Sequence, residues 1–111
     1  MIRAELVVLA VVTVACAVGA AADAPPRSRH EIRMRGNSFT PRDLTLELGD
    51  TVVWRNADVV RHNAVRPETF DSGDLRRGEE FSWVPQDTGA YRYRCTIHQR
   101  MRGTLTVTAK P

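Results

Sequence analysis

Cysteine is nearly absent. The 111 residues include two, Cys16 and Cys95, and Cys16 lies within an apolar leader. Once that leader is set aside, a single thiol remains, which excludes a disulfide within the domain. Lysine is scarcer still: of 16 basic residues, only Lys110 is lysine and the other fifteen are arginine. The net charge of +3 is too small for a nucleic-acid footprint, and no stretch interleaves basic and aromatic residues in the way such a surface does. A mild positive excess suits a protein partner with an acidic patch. Also missing are any helical period longer than a turn, any internal repeat, and any apolar run that reaches the roughly 20 residues needed to span a bilayer.

The leader is the first thing present. Met1-Ile2-Arg3 starts it with a positive charge, Leu6 to Val18 is nearly unbroken apolar, and Ala20-Ala21-Ala22 supplies small residues at a cleavage site. This is the pattern of a secretory signal over 1–22, with cleavage after Ala22. It predicts a periplasmic or exported protein with no integral membrane segment in its mature form. Val14-Ala15-Cys16 leaves one alternative open, a lipid anchor on Cys16. Removing 22 of 111 residues leaves 111 − 22 = 89, enough for one domain with a modest core that a bound metal would stabilise. In an oxidising compartment a lone free thiol is a liability unless something occupies it.

After a Pro- and Arg-rich arm over 23–30, expected to be flexible with His30 solvated, short alternating patterns begin. Ile32 and Met34 share one face of a first strand, and Leu44, Leu46 and Leu48 share one face of the next. Gly49-Asp50 turns the chain into Thr51–Asn56, a β-branched central strand that carries Trp54. His62–Val65 reads as a short strand and 67–77 as a loop, after which Phe81 and Trp83 alternate with polar neighbours. Tyr91, Tyr93 and Cys95 lie on one face of a strand whose other face carries Arg92 and Arg94, so the thiol points inward. Leu105 and Val107 mark the last strand. About seven short strands over 31–111 predict an all-β, antiparallel Greek-key β-sandwich, with Asp87-Thr88-Gly89-Ala90-Tyr91 resembling the turn before a tyrosine corner.

The chemistry is concentrated in Cys95-Thr96-Ile97-His98-Gln99-Arg100-Met101. A thiolate, an imidazole and a thioether lie within seven residues, and a second imidazole stands upstream at His62. This soft donor set suits one copper ion cycling between Cu(I) and Cu(II), and it suits zinc poorly because thioether is a weak zinc ligand. Donors three residues apart can converge only if the chain curls, so 95–101 is expected to be a tight loop at a strand end. The Leu48–Trp54, His62-Asn63, Phe70–Gly73 and Gly89–His98 runs, with Met101-Arg102-Gly103, resemble a small cupredoxin of the plastocyanin and amicyanin group. The two-residue gap between His98 and Met101 is similar to amicyanin.

The resemblance implies a blue-copper electron carrier and not an enzyme, with His62, Cys95 and His98 as strong ligands and Met101 as the weak axial one. Around them, Asn63 and Thr96 are expected to hydrogen-bond and tie the two ligand-bearing segments together. Amicyanin-like loops carry proline where this chain has Ile97 and Gln99. An Ile97 amide directed at the Cys95 sulfur would raise the reduction potential above that of an Ile97→Pro variant. Arg61, Gln99, Arg100 and Arg102 are expected to rim the electron exit beside His98 and to meet a redox partner's acidic patch, the protein itself being a monomer. The rival reading is copper trafficking or buffering through the same ligands, which the looser, proline-poor loop keeps open.

Overall fold

The computed structural model describes residues 27–111. The expected signal segment over 1–22 and the first half of the expected arm, 23–26, lie outside them. Among the described residues nine strands form two sheets: β1 (Arg29–Arg35), β2 (Ser38–Thr40), β3 (Asp43–Glu47), β4 (Thr51–Asn56), β5 (Val65–Arg66), β6 (Phe70–Asp71), β7 (Glu80–Trp83), β8 (Gly89–Arg94) and β9 (Arg102–Thr108). One sheet runs β2-β1-β4-β7 and the other β3-β9-β8-β5-β6. No helix among the described residues is long and apolar enough to cross a membrane.

The all-β sandwich is as expected, but two strand pairs are parallel: β1 with β4 and β3 with β9. Alternating hydrophobicity reports which face of a strand is buried and says nothing about the direction of its partner. Here the chain crosses repeatedly between sheets, so strands close in sequence, such as β3 and β4, belong to different layers. Strand β2 was not expected. It pairs with β1 through a two-residue Gly36-Asn37 connection, both residues at positive φ (61° and 57°), the conformation that suits a tight hairpin between twisted strands.

Two further expectations are corrected. His62–Val65 is not a strand: His62 makes an isolated bridge with Leu75, and only Val65 continues into β5. Pairing begins at Arg29, and His30 is not a solvated residue of a loose arm. Its Nε2 lies 3.0 Å from Asp50 Oδ2, a carboxylate that also accepts from the amides of Ser28 (3.2 Å) and Glu47 (3.0 Å).

Trp54 lies at the centre of the core, its ring 5.0 Å from Phe70, 5.3 Å from Tyr93 and 5.7 Å from Phe81. Ile32, Met34, Leu46, Val52, Leu105 and Val107 close around it. Tyr93 sits opposite Gly103 in the β8–β9 register, and a Cβ on Gly103 would stand 2.5 Å from the Tyr93 hydroxyl. Glycine is therefore required there for the ring to enter the core. Burial pushes the Tyr93 phenol well above its ordinary range, so it stays neutral. Tyr91 OH donates to Asp87 O at 2.7 Å, the bond that the Asp87–Tyr91 run anticipated. It pins the entry to β8, the strand that aims Cys95.

Candidate metal centre

Strand β8 ends at Arg94, and the next residue, Cys95, continues its inward alternation and is fully buried. The chain then curls. Met101 N donates to His98 O and Cys95 N to Met101 O, both at 3.0 Å, so the 95–101 loop closes on its own backbone before β9 leaves it. Met101 is buried beneath the loop at 1% exposure, while Ile97, Gln99 and Arg100 face solvent and His98 is half-buried.

His62 arrives from the other side. Its backbone is held at both polar atoms by Leu75, with His62 N donating to Leu75 O at 3.2 Å and His62 O accepting from Leu75 N at 2.8 Å. Its ring is fully buried, and its Nε2 lies 3.0 Å from Asp58 Oδ2. A carboxylate accepts, so Nε2 carries the proton and the Nδ1 lone pair is left facing the opposite way. That Nδ1 stands 3.2 Å from Nδ1 of His98, which lies 3.6 Å from Cys95 Sγ. All three ligand atoms fall within 4.8 Å of one another.

These separations fit a shared cation. Nitrogen and thiolate donors about 2.0 to 2.3 Å from a common centre, at roughly tetrahedral angles, stand about 3.2 to 3.6 Å apart. With the His62 proton on Nε2, a cation between the two Nδ1 atoms would take both lone pairs, and without one a proton on His98 Nδ1 makes the 3.2 Å contact a hydrogen bond. A buried thiolate with two imidazoles is the donor set of a copper site, and His62, Cys95 and His98 can hold that ion.

The surrounding hydrogen bonds match the sequence expectation in part. Asn63 Nδ2 donates to Thr96 Oγ1 at 2.8 Å, and Thr96 N donates to Asn63 Oδ1 at 2.7 Å, so the two ligand-bearing segments are tied twice. The donor that reaches the thiol is different from the one anticipated. Asn63 N lies 3.4 Å from Cys95 Sγ, and no hydrogen bond from Ile97 to that sulfur is present among the described residues. Ile97 instead turns outward, with 45% of its surface exposed.

Sequence reasoning missed Asp58 and Asp74. Asp58 orients His62 and accepts from the amides of Gly36 and Val59 at 2.9 and 2.8 Å. The His62 hydrogen bond, followed by those amides, holds the Asp58 carboxyl down at about 2. Asp74 accepts from Asn63 Nδ2 at 3.0 Å and lies 3.8 Å from Arg61. In the sequence Asp58 reads only as the end of a strand, because its partner is set by a loop conformation that no periodicity reports. Val59 and Val60, 75% and 45% exposed on that same loop, were also not anticipated. Arg61, Gln99, Arg100 and Arg102 are all exposed, as a rim requires.

Comparison with known proteins agrees with this geometry. Amicyanin from Paracoccus versutus is 33% identical over 75 residues, 62% of this chain and 56% of that protein. A second amicyanin, from Paracoccus denitrificans, is matched over 54% of its length, so the chain spans about half the length of these curated relatives. Among solved structures, a purple cupredoxin from Nitrosopumilus maritimus superposes with a TM-score of 0.67 at 30% identity, over 71% of this chain and 99% of that one. The Cu-containing nitrite reductase of Thermus scotoductus superposes at 0.68 with 34% identity, but over only 23% of its length against 75% of this chain. The description of a cupredoxin-like domain matches residues 6–107, and the chain belongs to that family.

Proposed function

We propose that the protein is an exported, monomeric one-electron carrier built on a single blue-copper site. The observation that carries this reading is the convergence of His62 Nδ1, His98 Nδ1 and Cys95 Sγ within 4.8 Å, at the end of a rigid sandwich. Bound copper supplies a one-electron Cu(I)/Cu(II) couple. His62, Cys95 and His98 would hold the ion as the strong ligands, with the thioether of the buried Met101 as a weaker one. Leu75, Asp58 and Asn63 hold His62 and the thiol in place, so little has to move when the charge of the site changes.

His98 is the electron exit. It is the ligand on the half-exposed side of the loop, with Ile97, Gln99 and Arg100 beside it in sequence. Val59, Val60 and Ile97 provide apolar contact, and Arg61, Gln99, Arg100 and Arg102 form a rim for a redox partner with an acidic patch. Because these arginines are exposed, they act mainly on the association rate, which should fall with salt. Export is supported by the signal pattern over 1–22 and by Cys95, a buried free thiol and the one cysteine among the described residues.

Reconstitution with Cu(II) tests the reading. An intense thiolate charge-transfer band is expected, lost in Cys95→Ser, together with electron self-exchange much faster than copper loss to a chelator. No band would overturn the blue-copper assignment. A band with rapid copper loss would instead assign the protein to copper trafficking or buffering.

A further inference from the structure

On the five-stranded sheet, beside the strands that lead into and out of the 95–101 loop, arginine is gathered where carboxylates do not balance it. An open cleft of about 470 Å³ on the five-stranded sheet is lined by Arg42, Arg92, Arg94 and Arg102, with Val65 and Pro67 along one wall. The register shows how they come together: Arg94 is directly opposite Arg102, and Arg92 is opposite Thr104, which on its other side pairs with Asp43. Like charges directly across an antiparallel pair are destabilising, so this arrangement costs folding free energy. None of the four arginines makes an ion pair with a described residue. Asp43 is the one carboxylate in the lining.

A smaller arginine pocket of about 280 Å³ beside the four-stranded sheet, lined by Arg33, Arg35, Arg55 and Arg77, is partly neutralised: Glu80 takes Arg55 at 3.1 Å, while Arg33, Arg35 and Arg77 make no ion pair with a described residue. In the 470 Å³ cleft none of the four arginines is paired, and an anion from outside would fill that role.

We propose that this cleft seats an acidic peptide segment of a partner protein. Arg42, Arg92, Arg94 and Arg102 would receive its carboxylates, and Val65 and Pro67 its aliphatic stems. The volume exceeds that of one small oxyanion and suits several side chains. The cleft is concave, unlike a surface laid on a membrane, and its one aromatic, Tyr93, is buried at 3% exposure and presents no ring for a nucleobase. Arg94 immediately precedes Cys95 and Arg102 immediately follows Met101, so a seated segment lies against the two strands that deliver those donors. The cleft shares Arg102 with the proposed rim, but peptide binding is measured with no electron moving, so this proposal and the electron-carrier reading can each fail alone.

The test is an NMR titration of the Cu(I)-loaded protein with an end-blocked tetraglutamate peptide at low ionic strength. Saturable binding is expected, with amide shifts concentrated at 42–43, 92–94 and 102–104, and weaker binding at physiological salt. Arg92→Glu should weaken it about tenfold and Arg42→Gln by less, while Arg33→Glu on the opposite sheet should match wild type. The two cleft variants serve as independent checks should one fail to fold. Shifts that never saturate, shifts centred on Arg33, Arg35 and Arg77, or equal losses from Arg33→Glu and Arg92→Glu would overturn the proposal. So would tighter binding to phosphatidylglycerol vesicles or to a single-stranded oligonucleotide than to the peptide.

Discussion

Two histidine–carboxylate pairs in this protein have the same bond and different consequences. His30 Nε2 lies 3.0 Å from Asp50 Oδ2, and His62 Nε2 lies 3.0 Å from Asp58 Oδ2. Each carboxylate also takes two backbone amides, Ser28 and Glu47 in one case and Gly36 and Val59 in the other. The difference lies in the second ring nitrogen. Nδ1 of His62 faces His98 at 3.2 Å, and its ring is completely buried. The His30 side chain keeps 26% of its surface exposed and converges with no other ligand. The same carboxylate clamp thus fastens a strand end in one place and orients a metal ligand in the other.

The largest expected effect separates the two clamps directly. Asp58→Ala removes the acceptor that fixes the His62 proton on Nε2, and copper affinity should fall about 10- to 100-fold. Asp50→Ala should leave affinity and the visible spectrum unchanged while destabilising the copper-free fold by about 1 kcal/mol, as the part-buried amide bonds of Ser28 and Glu47 lose a charged acceptor. Competition with a calibrated chelator and urea unfolding read the two quantities separately. If Asp50→Ala weakened copper binding as much as Asp58→Ala, the division between a structural and a site clamp would collapse.

Asn63→Ala is next, and it asks whether the His62 side of the site depends on more than one carboxylate. It removes both bonds to Thr96 and the one to Asp74, but it keeps the backbone amide 3.4 Å from the thiol sulfur. Copper affinity should therefore drop by about tenfold, near the lower end for an outer-shell partner. The thiolate band should persist, because the immediate surroundings of the sulfur are retained. Loss of the band would mean that the Asn63 side chain sets the position of the thiol itself.

This contrast also explains what the sequence could reveal. Cys95, His98 and Met101 were legible because ligand types and spacing lie within one short run, and Tyr91, Tyr93 and Cys95 because strand alternation sends them to one face. The buried face of each longer strand followed from the same alternation. The parallel pairing of β1 with β4 did not, since partner direction depends on where the intervening chain crosses. Asp58, Asp50 and the Asn63 amide were invisible for a related reason: each acts through a loop backbone whose course is fixed only after the sheets have packed. Strand β2 had a legible signal in Gly36-Asn37, a pair tolerant of positive φ.

Acid should separate the clamps again, more weakly. The Glu47 amide, then His30 and Ser28, hold the Asp50 carboxyl below its ordinary value of 3.8. The folded pKa is therefore below the unfolded one, and the stabilisation is complete above about 3.8 and lost as pH falls through the folded value. An Asp50→Asn variant should be less stable than wild type at neutral pH, with the gap narrowing toward about pH 3. Paired urea midpoints at the two pH values measure it. A gap that stayed constant, or widened in acid, would remove the Asp50 charge from the clamp.

The smallest effect is expected at Ile97, where the structure reverses the expectation from sequence. An Ile97 amide bonded to the Cys95 sulfur would make Ile97→Pro lower the reduction potential. The sulfur is instead approached by the Asn63 amide at 3.4 Å, and Ile97 is turned to solvent. Proline at 97 would then remove no donor from the thiolate. What it would restrict is the backbone of Thr96, whose amide and hydroxyl both bond Asn63, and hence the freedom of the copper-free loop. The potential should stay at the wild-type value while amide exchange over 96–100 slows in the metal-free protein. A fall of tens of millivolts by voltammetry would place the Ile97 amide at the sulfur after all, and the stabilisation of the thiolate would then belong to the loop, not to the His62 segment.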